Sequence, residues 1–279
     1  MKTLLACVGT GNMGGALMKA AAAAVGGARI GVTDVDPAKA AAFAAEIGAV
    51  VYGSNAEAAR GGRFLVLAVK PQVLGQVLDG LAPILAELAA AGERPVLVSI
   101  VAGASIASMR ARLAAAVPGS SFDTQPIIRL MPNTPALVAK GVIALSAGSE
   151  VGPEDVAELE RALSAAGIVD RLDEKLMDAV TALSGSGPAF AYIFIEALAD
   201  AGVRAGLPRD KALRYAARTV LGAAAMVEET GQHPGVLKDA VCSPAGTTIA
   251  GVAALEERGF RAAAMAAVDA AFRRAKELG

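Results

Sequence analysis

The sequence predicts an α/β domain with a doubly wound, mostly parallel sheet, followed by an all-α domain. In the first half, short apolar runs such as TLLACVG, ARIGVTD, FLVLAVK and PVLVSIVAG alternate with alanine-rich helical patterns. This alternation is typical of a parallel sheet that carries helices on both faces. From about residue 174 the pattern changes to long helical segments without a convincing strand. We therefore predict one domain over residues 1–173 and a second over residues 174–279.

Composition and charge exclude several classes of function. The chain has 26 Lys or Arg and 27 Asp or Glu, and it has no basic run, so a nucleic acid is not an expected partner. No stretch reaches the roughly 18 uncharged apolar residues of a membrane span, and no secretory signal is seen, so we expect a cytoplasmic protein that does not enter a membrane. Two distant cysteines and a single histidine match no metal spacing, and no metal is expected.

The stretch CVGTGNMGGAL places Gly9, Gly11 and Gly14 in GxGxxG spacing between a predicted strand and a predicted helix. The first glycine permits a tight turn, the second lets a pyrophosphate approach the backbone, and the third lets the helix pack closely on the strand. Asp34 follows about 20 residues later, at the end of the next predicted strand. Together these features predict a dinucleotide-binding Rossmann domain.

Asp34 and its neighbours bear on which dinucleotide binds. A carboxylate at this place accepts hydrogen bonds from both ribose hydroxyls of NADH and repels the extra phosphate of NADPH. Val35 and Asp36 supply no cation for that phosphate. Alternatively, Asp34 or Asp36 only caps the helix that begins at DPAKA. We expect NADH or NADPH as cofactor, with NADH favoured.

Two further loops follow predicted strands. AVKPQV contains Lys70 and Pro71, and MPNTPA contains Asn133 and Thr134 between two prolines. Ligands of doubly wound sheets bind outside the carboxyl ends of the strands, so both loops are expected to point toward the cofactor. Lys70 is either a cofactor contact or a solvated loop charge.

One helix of the second domain is apolar on most of its circumference. The segment 188–205, PAFAYIFIEALADAGVRA, begins with a proline at the helix N-terminus. A helix that is buried all round in so small a domain indicates that a partner subunit covers one side. We therefore expect a homodimer through the C-terminal helices, or a larger assembly.

Two uncharged, glycine-rich turns, LSGSGPAF and CSPAGTTIAG, each lead into a predicted helix. Free backbone N–H groups at a helix start, with the helix dipole behind them, can bind a small carboxylate. Alternatively, these segments are only tight turns between helices. His233 is either a loop residue before a helix or a catalytic acid, and the turn residues around it favour the first role.

Five segments carry a resemblance to one family. They are DAVTALSGSGPAFAYIFIEALADAGVRAGLP, QHPGVLKDAVCSPAGTTIAGVAALE, GTGNMGGAL, AVKPQV and MPNTP. Together they resemble pyrroline-5-carboxylate reductase over essentially the whole chain, and the first two segments are specific to that family. The resemblance implies a Rossmann domain, an interlocking helical domain, and dimers that often assemble into a decamer. It also implies reduction of a small molecule, 1-pyrroline-5-carboxylate, to L-proline with NADPH or NADH, the last step of proline biosynthesis.

The resemblance also implies the site residues. The cofactor residues are Gly9, Thr10, Gly11, Asn12, Met13, Gly14, Thr33, Asp34, Val35, Asn55, Ala68, Val69, Lys70, Pro71, Ile100, Val101 and Ala102. The substrate residues are Glu174, Gly246, Thr247 and Thr248. Thr248 stands at the place of the threonine that hydrogen-bonds the ring nitrogen, and it is the expected catalytic residue. Glu174 is either a substrate residue or a carboxylate at a helix N-terminus.

Three positions depart from the family pattern. Ala245 stands where many members have glycine, and alanine tolerates a positive φ poorly. Ala240 stands where some members carry asparagine, and Val35 where NADPH-preferring members often have a cation, which again favours NADH. Two other functions stay open. A related Rossmann reductase of another cyclic imine or keto acid leaves the pairing of SGSGPA with SPAGTT unexplained, and a binding protein that responds to a dinucleotide would have no turnover.

Overall fold

The computed structural model describes residues 2–278, and residues 1 and 279, the outer limits of the two predicted domains, lie outside the described residues. The chain divides into two compact units. The first unit extends to Gly185 and includes the C-terminal stretch from Ala271, and the second unit is Ser186–Ala270. This division falls after the predicted domain boundary between residues 173 and 174, which stays a prediction.

An eight-stranded sheet forms the centre of the first unit. Its strands are β1 (Thr3–Val8), β2 (Ile30–Thr33), β3 (Val50–Val51), β4 (Gly62–Leu67), β5 (Val96–Ser99), β6 (Ile127–Pro132), β7 (Gly141–Ala147) and β8 (Gly167–Arg171). The strand order is β3-β2-β1-β4-β5-β6-β7-β8, with β6 and β7 antiparallel and the other neighbours parallel. The mostly parallel, doubly wound sheet is as predicted. The largely exposed edge strand β8 is not among the predicted strands.

Helices cover both faces of this sheet. They are α1 (Asn12–Val25), α2 (Pro37–Ile47), α3 (Asn55–Gly61), α4 (Pro71–Ala90), α5 (Ile106–Ala116), α6 (Pro153–Leu163) and the short α7 (Met177–Val180). Segments of 3₁₀ helix occur at Gly27–Arg29, Thr134–Val138, Ser164–Ala166 and Glu174–Leu176, and a π-helical turn at Thr181–Gly185. The helices α5 and α6 add to those that the sequence predicts.

The core lies on both faces of the sheet because the central strands are apolar along their whole length. All six residues of β1 are buried, as expected for a parallel strand that is covered on two sides. Successive side chains point to opposite faces, so Leu5 packs in the cluster that contains Leu17 of α1, whereas Ala6 packs in the cluster that contains Leu78 of α4. These two clusters fix the strand ends from which the predicted cofactor loops begin.

By length and composition alone, two helical stretches among the described residues are long and apolar enough to cross a membrane, Pro71–Ala90 and Glu174–Arg204. The first is α4, whose Leu74, Leu78 and Leu81 are buried against the sheet. An apolar helix is typical of a protein core as well as of a membrane span. Neither stretch is therefore evidence of a membrane protein by itself.

The second unit is helical. It consists of α8 (Gly187–Arg204), α9 (Arg209–Thr230), α10 (Pro234–Ala240), α11 (Thr247–Glu257) and the first part of α12 (Phe260–Leu278). Its own core is small, since α8 and α9 pack through the buried side chains of Ala199, Ala212 and Ala216. A Cβ on Gly202 would lie 3.3 Å from the Cβ of Ala212, so the two helix backbones approach closely.

Large apolar side chains of the second unit are exposed in the single chain. Tyr192 and Ile193 of α8 and Met265 of α12 are 59%, 66% and 69% exposed. Of the residues of α8, Ala199 is the buried one, although the helix is apolar on most sides. Large apolar side chains that are exposed to this extent are typical of a protein interface, in agreement with the expectation of a homo-oligomer.

Candidate active site

The predicted cofactor loops begin side by side at one edge of the sheet. The strands β2, β1, β4 and β5 are parallel neighbours, so the loops that follow them share this edge. Backbone hydrogen bonds join the loops, because Gly9 N donates to Thr33 O over 2.8 Å and Ala68 N donates to Val8 O over 2.9 Å. The strand order reverses between β1 and β4, which is where dinucleotides bind in doubly wound sheets.

The three glycines of the first loop are required for different reasons. Gly9 has φ +99°, and a Cβ on it would lie 2.6 Å from Ala68 O. A Cβ on Gly14 would lie 2.5 Å from Gly9 O, because α1 packs tightly against the loop. A Cβ on Gly11, in contrast, would have nothing within 4 Å. Open space beside Gly11 is what a pyrophosphate needs in order to reach the N-terminus of α1.

Asp34 follows β2 and turns back onto the glycine loop. Its Oδ2 accepts hydrogen bonds from the backbone N–H and the hydroxyl of Thr10, both at 2.7 Å, and its Oδ1 accepts one from Asp36 N at 3.2 Å. Partial burial raises the pKa of the Asp34 carboxyl, but the hydrogen bonds from Thr10 outweigh it, and the net pKa lies below its ordinary value. Asp34 is therefore an ionised acceptor at neutral pH, held at the edge of the sheet.

The alternative role of a helix cap belongs to Asp36. Its Oδ1 accepts hydrogen bonds from Ala38 N at 3.0 Å and Lys39 N at 3.2 Å, at the start of α2. Sequence reasoning missed Lys39, whose Nζ lies 3.6 Å from Asp34 Oδ2. Its position in the first turn of the helix after β2 is the signal that would have found it. Val35, in contrast, is fully exposed and adds no charge.

The other predicted cofactor residues lie at the starts of helices, at the end of a strand, or in loops after the strands. Asn12 and Met13 begin α1, Thr33 ends β2, Asn55 begins α3, Ala68 to Lys70 connect β4 to α4, Pro71 begins α4, and Ile100 to Ala102 follow β5. Lys70 is exposed, which both of its predicted roles require. Contact of these residues with a cofactor stays a prediction.

Cys7, beneath the glycine loop, is a core residue. It is fully buried in β1, and its Sγ donates a weak hydrogen bond to Gly9 O at 3.3 Å. Burial, with a smaller contribution from the charge of Asp34, raises the pKa of the thiol to about 12. A neutral thiol without access to solvent is unreactive.

The side chain of Asn133 is used inside the fold. Its Nδ2 donates to the carbonyl oxygen of Ser184 at 3.2 Å and to its hydroxyl at 3.1 Å, and its Oδ1 accepts from Val142 N at 2.9 Å. Asn133 thereby ties the loop after β6 to the π-helical turn Thr181–Gly185. These contacts do not support the expectation that the loop offers Asn133 to the cofactor, since the residue is 7% exposed and its amide is engaged.

Glu174 also makes its contacts within the first unit. Its Oε1 accepts hydrogen bonds from Ile106 N, the first residue of α5, at 2.8 Å and from Arg129 Nη1 at 2.9 Å. The Arg129 side chain on β6 is 11% exposed, so Glu174 supplies the charge that offsets a mostly buried cation. Both predicted roles stay predictions, since Glu174 is the first residue of the 3₁₀ segment Glu174–Leu176 whereas its carboxylate contacts the start of a different helix, α5.

Glu174→Ala is expected to lower the free energy of unfolding by about 2 kcal/mol, because it removes the acceptor of a mostly buried guanidinium and of Ile106 N. Urea denaturation measures the loss. Glu46→Ala, which removes the exposed partner of Lys19, is the control. It is expected to lower the free energy of unfolding by less than about 1 kcal/mol. A raised KM for the substrate with unchanged stability would instead assign Glu174 to the substrate site.

A tight turn leads into α11. Gly246 N donates to Ser243 O over 3.0 Å, with Pro244 second and Ala245 third in the turn. Ala245 has φ +57°, and the third position of a type II turn usually has glycine for this reason. The chain thus keeps a turn that is built for glycine although it carries alanine.

Ala245→Gly is expected to stabilise the protein by about 1 kcal/mol, since glycine adopts a positive φ without the steric cost that alanine has. Thermal unfolding measures the gain. Ala254→Gly, inside α11, is the matched control and is expected to lower the free energy of unfolding by about 1 kcal/mol. A loss of stability in Ala245→Gly would contradict the described backbone conformation.

The start of α11 offers free polar groups. Gly246 caps the helix, and Thr247 and Thr248 are its first two residues. A Cβ on Gly246 would lie 2.2 Å from Ser243 Oγ and 3.1 Å from Ser243 O, so a side chain here would require Ser243 to move. Both threonines are exposed, and within residues 2–278 their hydroxyls have no hydrogen-bond partner. The first backbone N–H groups of a helix also lack an intrahelical partner.

His233 is a helix cap. Its Nδ1 accepts a hydrogen bond from Gly235 N at 3.0 Å at the start of α10. This contact supports the loop role rather than that of a catalytic acid. In the part of the chain that the structure describes, no group of three or more His, Cys, Asp or Glu side chains is arranged to hold a metal ion.

Comparison with known proteins identifies the family. The chain is 49% identical to the pyrroline-5-carboxylate reductase of Synechocystis sp. over 229 residues, which cover 82% of this chain and 80% of the relative. The chain belongs to the pyrroline-5-carboxylate reductase family. As a member, it is an oxidoreductase that reduces 1-pyrroline-5-carboxylate to L-proline in the last step of proline biosynthesis, with a nicotinamide cofactor.

Family models and solved structures agree with this assignment. A model described as pyrroline-5-carboxylate reductase dimerisation matches residues 174–278, and one described as NADP oxidoreductase, coenzyme F420-dependent, matches residues 4–103. The pyrroline-5-carboxylate reductase of Coxiella burnetii is 31% identical with a TM-score of 0.89, covering 100% of this chain and 99% of that chain. The pyrroline carboxylate reductase of Plasmodium falciparum, solved with NADP bound, is 32% identical with a TM-score of 0.81, covering 99% and 98%. The predicted fold class, a Rossmann domain followed by a helical domain, is confirmed.

Proposed function

We propose that this reductase binds NADH or NADPH at the loops after β1, β2, β4 and β5, and binds the imine at the start of α11. The observation that carries the proposal is a threonine hydroxyl that has no partner among residues 2–278, beside backbone N–H groups that are likewise unpaired within this range. The same chain also has an open glycine loop. When bound, the dihydronicotinamide supplies the hydride. The chain itself binds and orients both molecules.

The first loop fits a dinucleotide. Space beside Gly11 gives a pyrophosphate access to the N-terminus of α1, where the helix dipole favours negative charge. Asp34 offers Oδ1, which already accepts a hydrogen bond from Asp36 N at 3.2 Å, as an acceptor for one ribose hydroxyl. The cofactor site consists of the residues that the family resemblance implies for these loops, from Gly9 to Ala102.

The charges after β2 support a preference for NADH. The ionised Asp34 repels an additional phosphate, and Val35 brings no cation to bind it. Lys39 lies 3.6 Å from Asp34 and offsets part of that charge, so we propose that NADPH is also used, with lower efficiency. The Plasmodium falciparum relative was solved with NADP, which supports use of the phosphorylated cofactor within the family.

The start of α11 supports binding of a small carboxylate next to an imine. The unpaired N–H groups of Thr247 and Thr248 and the positive end of the helix dipole attract the carboxylate. The Thr248 hydroxyl hydrogen-bonds the ring nitrogen and stabilises or delivers its proton as the amine forms. An imine that arrives protonated needs no strong acid, which agrees with the use of His233 as a helix cap. Glu174 is left out of this proposal because its Oε1 already accepts hydrogen bonds from Arg129 and from Ile106 N.

Association through the C-terminal helices is part of the proposal. The dimerisation model covers residues 174–278, and the exposed apolar side chains of α8 and α12 support a homodimer. We further propose that dimers assemble into a decamer and that the enzyme is soluble and cytoplasmic. Light scattering of the purified protein tests the assembly, and a monomer would contradict it.

One assay tests the reaction and the cofactor preference. Purified protein is mixed with 1-pyrroline-5-carboxylate and either NADH or NADPH, nicotinamide absorbance is followed, and proline is quantified by amino-acid analysis. We expect proline with both cofactors and a higher kcat/KM with NADH. Absence of proline with both would contradict the reaction, whereas a higher kcat/KM with NADPH would contradict the preference alone.

A further inference from the structure

Thr10 makes contacts that the glycine turn itself does not require. It is the residue between the first two glycines of the GxGxxG stretch, and it is 6% exposed. Its backbone N–H and its hydroxyl both donate to Asp34 Oδ2, each at 2.7 Å. Two short hydrogen bonds from one residue thus converge on one carboxylate oxygen.

This arrangement restrains the Asp34 carboxylate more than its other contacts do. A rotation of the carboxylate would break both hydrogen bonds from Thr10. The contact from Asp36 N is longer, at 3.2 Å. Lys39 reaches Asp34 only at 3.6 Å, and its side chain is 49% exposed, so it holds the carboxylate weakly.

The restraint leaves one oxygen for a ligand. Oδ2 is occupied by Thr10, whereas Oδ1 accepts a single hydrogen bond, and a carboxylate oxygen can accept two. The 9% exposure of the Asp34 side chain shows that little of the carboxylate reaches solvent. A fixed acceptor with one free site distinguishes a hydroxyl, which donates, from a phosphate, which only accepts and carries charge.

We propose that Thr10 is a positioning residue that sets cofactor selectivity by holding Asp34 in the orientation that accepts a ribose hydroxyl of NADH. This inference rests on the proposed binding of the cofactor at the glycine loop. The hydroxyl of Thr10 also keeps Asp34 negatively charged, because it stabilises the ionised form. The charge then stays where the additional phosphate of NADPH would approach.

Thr10→Val removes the hydroxyl and retains the shape, and Thr10→Ser retains the hydroxyl. Each substitution is made in the wild type and in Asp34→Ser. For every variant, kcat/KM and KM are measured with NADH and with NADPH. Thr10→Val is expected to lower the ratio of kcat/KM for NADH to that for NADPH about tenfold, through a higher KM for NADH. Thr10→Ser is expected to keep the ratio within about twofold. In the Asp34→Ser background, Thr10→Val is expected to leave the ratio unchanged, since the two residues act together.

If Thr10→Val leaves the ratio of kcat/KM for NADH to that for NADPH unchanged, the inference is overturned. It is also overturned if Thr10→Val changes this ratio equally in the wild type and in Asp34→Ser, because Thr10 would then act without Asp34. Thermal unfolding shows whether Thr10→Val folds, and Thr10→Ala provides the same loss of the hydroxyl with less bulk. Absence of proline formation by the wild type with both cofactors would overturn the proposed function instead. In that case fluorescence titrations of the same variants with NADH and NADPH give the selectivity ratio and decide the inference separately.

Discussion

Gly9→Ala is expected to lower the free energy of unfolding by at least about 3 kcal/mol and to abolish measurable NADH binding. The added Cβ would lie 2.6 Å from Ala68 O, and the residue would be held at φ +99°. Backbone strain of this kind costs about 1–3 kcal/mol, and overpacking adds a similar amount. We expect the glycine loop after β1 to move away from the ends of β2 and β4 to relieve this strain, and NADH binding to be lost for this reason. Urea denaturation and fluorescence titration with NADH measure the two effects.

Gly26→Ala is the matched control for Gly9→Ala. Gly26 has a similar φ of +89°, but a Cβ on it would have nothing within 4 Å. Gly26→Ala is expected to lower the free energy of unfolding by about 2 kcal/mol, because of the positive φ alone, and to leave the affinity for NADH unchanged. Equal losses of stability and affinity in both variants would show that close approach to Ala68 is not what makes glycine necessary at position 9.

Thr248→Ala is expected to lower kcat about 100-fold, because it removes the hydroxyl proposed to hydrogen-bond the ring nitrogen in the transition state. The hydroxyl is exposed and has no partner within the described residues 2–278, so its removal leaves no protein group unsatisfied. Steady-state kinetics at saturating NADH measure the effect, and thermal unfolding is expected to be close to that of the wild type.

Thr248→Ser separates the hydroxyl from the methyl group of threonine. It is expected to retain kcat within about tenfold, since the hydrogen-bond donor remains but its rotamer is less restricted. If Thr248→Ala leaves both kcat and KM for the imine unchanged, the catalytic assignment is wrong.

The sheet and its cofactor edge are predictable from the sequence because their determinants are local. The continuous apolar run of β1 identifies a strand that is buried on both faces, as its six buried residues show. The spacing of Gly9, Gly11 and Gly14 is likewise a local signal, and each glycine has its expected environment. Parallel strand order then brings the loops after β1, β2 and β4 together without further information.

Contacts between distant segments could not be predicted in the same way. The pairing of Glu174 with Arg129 and the tie from Asn133 to Ser184 join residues far apart in sequence. A polar residue in a motif is compatible with ligand binding and with internal hydrogen bonding, and only the three-dimensional arrangement distinguishes them. For this reason the sequence predicts where the candidate site lies better than it predicts what each polar side chain does there.

Ala245 shows a different limit. A local rule disfavours alanine at positive φ, yet the turn at Ser243 to Gly246 forms with φ +57° at this residue. The surrounding turn, with Pro244 before Ala245 and the hydrogen bond from Gly246 N to Ser243 O, fixes the backbone more strongly than the preference of one residue.

The alanine core of the second unit has a thermodynamic consequence for the cell. Three buried alanine side chains stabilise a fold by about 1 kcal/mol each, whereas fixing the backbone costs on the order of 1 kcal/mol for every residue. Ile195 and Val203 are only partly buried around them, so we expect this unit to depend for its stability on the surface that a second chain provides. By mass action we then expect its melting temperature to rise with protein concentration. Dilution of the enzyme is expected to unfold the turn at Ser243 to Thr248, the proposed substrate site, together with the loss of the partner. We therefore expect the fraction of chains that retain this turn to rise with the expression level.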